Sequence, residues 1–123
     1  MSSALVWFRK DLRLTDNPAW AAATSDHDTV LPLFVIDPRL WDGAMPHRLA
    51  QLTANLQALD RQLMERGGRL KILTGNPEAI VTAEAAGHGT VYWNEDVSPF
   101  SRRRDARVDA EVESATFWGS LVH

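Results

Sequence analysis

Four short apolar runs, at residues 5–8, 29–36, 70–73 and 90–93, alternate with segments whose apolar residues recur at helical spacing. That alternation constrains the fold more than any other feature. Strand, helix and strand in regular succession with short connections favour a parallel sheet covered by helices on both faces. The clearest helix spans 46–66, where Leu49, Leu52, Leu56, Leu59 and Leu63 step by three and four, with Asn55, Asp60, Arg61 and Glu65 between them. Gly67-Gly68 stops it, because glycine reaches the left-handed cap without a Cβ penalty. A further strand is expected at 115–118. The expected fold is a Rossmann-like three-layer α/β domain with a five-stranded parallel sheet.

The remaining elements follow from local signals. Val6, Trp7 and Phe8 favour a strand that stops at the charges from Arg9 onward. Asp16-Asn17-Pro18 opens a helix over 19–23, since a side-chain cap and a first-turn proline suit a helix start. The run at 29–36 is apolar almost throughout, as in a strand buried on both faces. Pro32 within it cannot donate to a ladder, which implies a bulge or a neighbour on one side only. Asp37-Pro38 ends that strand. Helices are expected at 77–86 and 101–114, the latter with Val108 and Val112 inward and a basic start.

At 123 residues and 45% hydrophobic content, the chain suffices for one domain with a core of its own. The absence of cysteine excludes disulfides, thiolate metal sites and a cysteine nucleophile. No apolar run approaches the roughly 20 residues that cross a bilayer, and no secretion signal precedes Arg9. A cytoplasmic location without membrane attachment is expected. A net charge of −3 lacks the footprint of an autonomous nucleic-acid binder. The ending Gly-Ser-Leu-Val-His follows a strand directly, which suggests a domain of a longer polypeptide.

In such sheets ligands sit beyond the carboxyl ends of the strands, near the reversal in strand order. Those ends are the loops at 9–17, 37–47, 75–76 and 94–100. The first loop has no glycine, so it does not form a phosphate cradle of the dinucleotide or P-loop kind. Its Arg9, Asp11, Arg13 and Asp16 either pair with one another or hold a ligand or a second domain. The basic start at Arg102, Arg103 and Arg104 opposes the helix dipole. Either it is a solvated face, or Asp96, Asp105 or a bound anion compensates it. His27, His47, His88 and His123 lack metal-ligand spacing, and no hydrolase triad assembles. Tryptophans on strands are usually core; Trp41, in a loop, is the candidate for stacking on a flat ligand.

Two motifs carry a resemblance. Trp7-Phe8-Arg9-x-Asp11-Leu12-Arg13-Leu14-x-Asp16-Asn17 and Tyr92-Trp93-Asn94-x-Asp96-x-x-Pro99-Phe100-x-x-x-Arg104-Asp105 closely resemble the DNA photolyase and cryptochrome family. The match covers essentially the whole chain and implies an N-terminal α/β domain, 1–123, with a helical FAD-binding domain beyond it. In that family the helical domain carries FAD and the lesion pocket, while the α/β domain holds an antenna chromophore. The resemblance implies that the antenna lies against Phe34, Val35, Ile36, Asp37, Arg48, Asn94, Asp96 and Arg104. Arg48 and Asp96 would hold its polar edges, and Phe34 or Trp41 would pack on its ring. Folate-binding relatives carry a glutamate three residues before the Arg-Asp pair, where this chain has Ser101. That difference favours 8-hydroxydeazaflavin over methenyltetrahydrofolate, with FMN or an empty site as further alternatives. The implied function is antenna binding in a light-driven cyclobutane pyrimidine dimer photolyase, with no catalytic residue and no metal in this domain. A cryptochrome-type light sensor is the alternative, and a free-standing α/β flavin or nucleotide binder a third. The implied partners are the FAD-binding domain and, through the whole protein, damaged DNA.

Overall fold

A computed structural model describes residues 3–41, 46–95 and 99–117. The strands are β1 (Ser3–Phe8), β2 (Thr29–Ile36), β3 (Lys71–Thr74), β4 (Thr90–Asn94) and β5 (Ser114–Phe117). The helices are α1 (Pro18–Asp26), α2 (Pro38–Trp41), α3 (Pro46–Glu65), α4 (Pro77–His88) and α5 (Pro99–Glu111). The strands form one parallel sheet in the order β3-β2-β1-β4-β5. Strand order therefore reverses between β1 and β4.

The alternation of β1 explains the two faces. Ala4, Val6 and Phe8 point to one side and pack with Ala19 and Ala23 of α1 and Leu56, Leu59 and Leu63 of α3. Leu5 and Trp7 point to the other and pack with Val81 and Ala85 of α4 and Val108 of α5. Both faces of the central strand are thus removed from water, which is why its run is continuously apolar.

Pro32 lies opposite Val6 of β1, while pairing with β3 begins one residue later at Leu33↔Lys71. The proline occupies the stretch of β2 with one neighbour, so no ladder bond to β3 is lost. The short helix α2 was not expected. Asp37 accepts from the Arg39 backbone N–H at 2.9 Å with Pro38 opening the turn, so Asp37-Pro38 is a helix start as well as a strand end. Helix α5 stops at Glu111 rather than 114. The Glu113 carbonyl accepts from Val91 N–H at 2.8 Å and Ser114 pairs with Val91, so sheet pairing draws these residues out of the helix. The strand expected at 115–118 accordingly begins at Ser114; Trp118 lies outside the described residues. Among the described residues, no helix is long and apolar enough to cross a membrane.

Candidate functional site

At the carboxyl end of β1 the chain delivers Arg9 into the point where strand order reverses. Its guanidinium binds the Asp105 carboxylate of α5 and the Asn94 carbonyl of β4. The Asn94 side chain donates to Asp11 and, at 2.7 Å, to Asn17 Oδ1, while its own Oδ1 accepts from Ala19 N–H at 3.0 Å. Asn17 caps α1 by accepting from Trp20 N–H at 3.0 Å and donates to the Arg13 carbonyl at 2.9 Å. Asp11 Oδ1 accepts from Arg9 N–H at 3.1 Å. This brace ties β1, β4, α1 and α5 together, and fills the crevice that topology alone would have offered to a ligand. Arg13 and Asp16 take no part in it with their side chains: Arg13 is exposed and reaches the Thr15 and Asp16 carbonyls. Asp16 adopts a φ of 50°, in the left-handed region that Asp tolerates better than most residues.

The open space lies one strand over, across the ends of β1 and β2. A cleft of ≈ 300 Å³ is bounded by Trp7, Phe8, Phe34 and Val35, with Asp37, Arg48, Ser101, Arg104 and Pro77 around it and Arg9 and Lys10 at the β1 end. Trp7 and Val35 belong to one face of the sheet and Phe8 and Phe34 to the other, so the cleft runs over the strand tips. A second cleft, ≈ 440 Å³, shares Arg9, Lys10, Phe34 and Arg48 and continues along α3 past His47, Gln51 and Asn55.

Charge in the first cleft is tightly arranged. Asp37 is 2% exposed and receives Arg39 Nε at 3.0 Å and Nη2 at 2.7 Å. The Arg39 hydrogen bonds hold its carboxyl below the usual carboxylate range, against the opposing effect of burial, and the Arg104 charge acts in the same direction as Arg39. Asp37 therefore faces the cleft ionised. Arg104 is buried, with Nε 3.4 Å from Asp105 Oδ1 and its guanidinium carbon 5.0 Å from the Trp7 ring centroid. Asp105 is thus a compensating charge for the basic start of α5. Arg107, further along, meets Glu78 at 3.2 Å.

Of the residues singled out from sequence, Phe34, Val35, Asp37, Arg48 and Arg104 line this one cleft. Ile36 and Asn94 do not: Ile36 packs beside the α1–α3 core, and Asn94 belongs to the brace. Asp96 and the Trp41 side chain lie outside the described residues. Trp7, Phe8, Lys10 and Pro77 join the cleft without having been anticipated, and Ser101, noted above for the glutamate of folate-binding relatives, lines it as well. For Ser101 the signal was present in the helical period of α5. Extending the inward stripe from Val108 back by three, four and seven residues reaches Asp105, Arg104 and Ser101, all buried. For Trp7, β1 alternation places it on the face that carries Val35.

A model of the DNA photolyase family matches residues 4–123. The chain belongs to the DNA photolyase family. It is 36% identical, over 97% of its length, to a deoxyribodipyrimidine photo-lyase of Synechococcus, of which it spans 26%. It is 35% identical, over 94% of its length, to a cryptochrome DASH of Natronomonas pharaonis, again spanning 26% of that protein. The chain thus covers about a quarter of these photolyase-family relatives. Among solved structures, an archaeal photolyase from Sulfolobus tokodaii, described with two FAD molecules and a novel light-harvesting cofactor, superposes with a TM-score of 0.86 at 30% identity. That match covers 98% of this chain and 31% of the archaeal one. A class III photolyase from Agrobacterium tumefaciens superposes with a TM-score of 0.85 at 32% identity, covering all of this chain and 27% of that one.

Proposed function

We propose that this chain is the antenna-binding part of a larger light-driven DNA repair flavoprotein, and that the cleft over β1 and β2 holds a light-absorbing ring that passes excitation to FAD bound outside the chain. The observation carrying this reading is the convergence of Phe34, Val35, Asp37, Arg48 and Arg104 on one apolar-floored cleft at the strand ends. Its size suits a tricyclic ring. The contiguous cleft along α3, with Lys10, His47, Arg48 and Gln51, suits a polar tail.

Ser101 lines the cleft at the position where folate-binding relatives carry glutamate, which supports a deazaflavin or flavin over methenyltetrahydrofolate. Among these, 8-hydroxydeazaflavin is the proposed ligand, with Arg48 and Asp96 on its polar edges. FMN is the alternative from sequence, and the archaeal relative described with two FAD molecules adds FAD as a candidate. A bound ring supplies absorption and energy transfer. The chain's own residues orient it, exclude water from its floor and set the charge beside it.

The test titrates the full-length protein separately with 8-hydroxydeazaflavin, FMN, FAD and methenyltetrahydrofolate, following absorbance. Removing charge-assisted hydrogen bonds in an Arg48→Ala, Asp96→Ala double variant weakens 8-hydroxydeazaflavin binding about tenfold or more. Unchanged affinity in that variant overturns the assignment. The cryptochrome reading has its own support in the 35% identity to a cryptochrome DASH. Light-dependent repair of DNA bearing cyclobutane pyrimidine dimers decides between them, since a pure sensor leaves the dimers intact.

A further inference from the structure

Trp7 lies in the wall of the cleft with its ring set among positive charges. The Arg9 guanidinium carbon lies over the ring, 5.1 Å from its centroid, and that of Arg104 lies over it at 5.0 Å. The indole is 2% exposed, so little water screens these contacts. Trp93 meets it edge-on, with ring centroids 5.5 Å apart. The Trp93 Nε1 is buried and, among the described residues, has no hydrogen-bond partner.

This arrangement answers a chemical problem that the proposed function creates. Tryptophan is among the most easily oxidised side chains, and an excited flavin-type ring is a strong one-electron oxidant. Electron transfer from the Trp7 indole to such a ring would leave an indole radical cation; return of the same electron would regenerate both partners and release the absorbed energy as heat. No net chemistry would occur, but the excitation would be lost before transfer. A guanidinium over a neutral ring is attracted to its π face. After the electron leaves, the same guanidinium faces a positive ring, and in a site with little water that repulsion is large. Two guanidiniums therefore oppose the loss of an electron from Trp7, although the Asp105 carboxylate hydrogen-bonded to both offsets part of their charge. Trp93 adds a second barrier. With no acceptor for its buried N–H among the described residues, a radical cation passed to it is not trapped by proton loss to them.

We infer that Arg9 and Arg104 guard the excited antenna, holding Trp7 in a form that does not quench it. This rests on the antenna reading above and assigns both arginines a task other than gripping the ligand.

The test uses the full-length protein with FMN as the probe, chosen because excited flavin oxidises indole readily. Arg104 is the residue to change, because Arg9 also anchors the brace. The readouts are the fluorescence lifetime of bound FMN and transient absorption of a tryptophan radical. In Arg104→Gln the quenching rate rises roughly tenfold, the lifetime shortens and the radical signal appears. Arg104→Lys, which keeps the charge, stays near the native lifetime. Adding Trp7→Phe to Arg104→Gln restores the long lifetime and removes the radical. An unchanged lifetime in Arg104→Gln, or shortening that Trp7→Phe does not reverse, overturns the inference while leaving the antenna reading intact. Should Arg104→Gln not fold, the single Trp7→Phe variant decides: an unchanged lifetime supports a silent Trp7, and a clearly longer one overturns the inference. Failure of both FMN and 8-hydroxydeazaflavin to bind overturns the antenna reading, and this inference with it.

Discussion

Asn94 concentrates much of the brace in one side chain. Its amide donates to Asp11 and Asn17 and accepts from Ala19 N–H; the last two contacts are buried and the first part-buried. Replacing it with alanine strands the buried Ala19 N–H and Asn17 side chain, at a cost of about 2–4 kcal/mol. Chemical denaturation of Asn94→Ala checks this; a loss below about 0.5 kcal/mol would mean the brace contributes little to stability. Asp37 gives a pH-dependent counterpart. Its folded pKa lies below the ordinary value of 3.8, so its stabilising contribution is complete above that value. As pH falls below 3.8 the unfolded chain takes up the proton first, and the contribution is lost as pH passes through the lower folded pKa. Asp37→Asn therefore destabilises the protein near neutrality, and its stability gap to the native protein narrows below about pH 4. A gap that stays constant from pH 7 to pH 3 contradicts this account. Arg9 shows where residue-level reading stops. Its charge and position at a strand end were plain, but its partners Asn94 and Asp105 are 85 and 96 positions away, and no local pattern couples them.

At the level of elements, α3 was the most legible because everything that defines it is local. Its leucine stripe, its start at Pro46 and its glycine stop can all be read within one window. The stop is a Schellman cap: Gly68 N–H donates to the Leu63 carbonyl at 2.9 Å and Gly67 N–H to Met64 at 3.1 Å, with Gly67 at φ 85°. Asp60 then takes Leu70 N–H at 2.9 Å and Arg69 Nη2 at 3.0 Å, aiming the chain into β3. Space around Gly67 is open, so its substitution isolates backbone strain. Gly67→Ala lowers stability by about 1 kcal/mol. No change in the denaturation midpoint would mean the cap has another conformation open to it. Helix α5 was less legible for the opposite reason. Its end is set by pairing of Ser114 with Val91, a contact between distant segments, and its inward stripe turns polar where it meets the cleft. A stripe that is apolar at Val108 and charged at Arg104 and Asp105 breaks the rule by which helix faces are read.

For the whole molecule, the sheet class followed from alternation alone, but the strand order did not. Short apolar runs carry no mark of which neighbours they choose, so the reversal between β1 and β4 and its occupation by the brace are tertiary facts. The same holds for the cleft. Val35 and Asp37 were expected there from family resemblance, whereas Trp7 came into view only once register set it on the same face. That placement matters beyond binding, because it puts an oxidisable ring beside the space where light energy would be held.

The central position of β1 also bears on how the chain is made. Of the five strands described, it is made before the other four, and its partner on one side, β2, follows soon after; its partner on the other, β4, begins only at Thr90. Until β4 has been made, one edge of this deeply buried strand is unpaired, and Arg9 has neither of its distant partners. The nascent chain gains its closing contacts only when α5 has been made, so cooperative folding waits for the last quarter of this segment. A pause in synthesis before residue 90 would leave that open edge available to other chains, and would make this domain a client for chaperones that shield exposed strands.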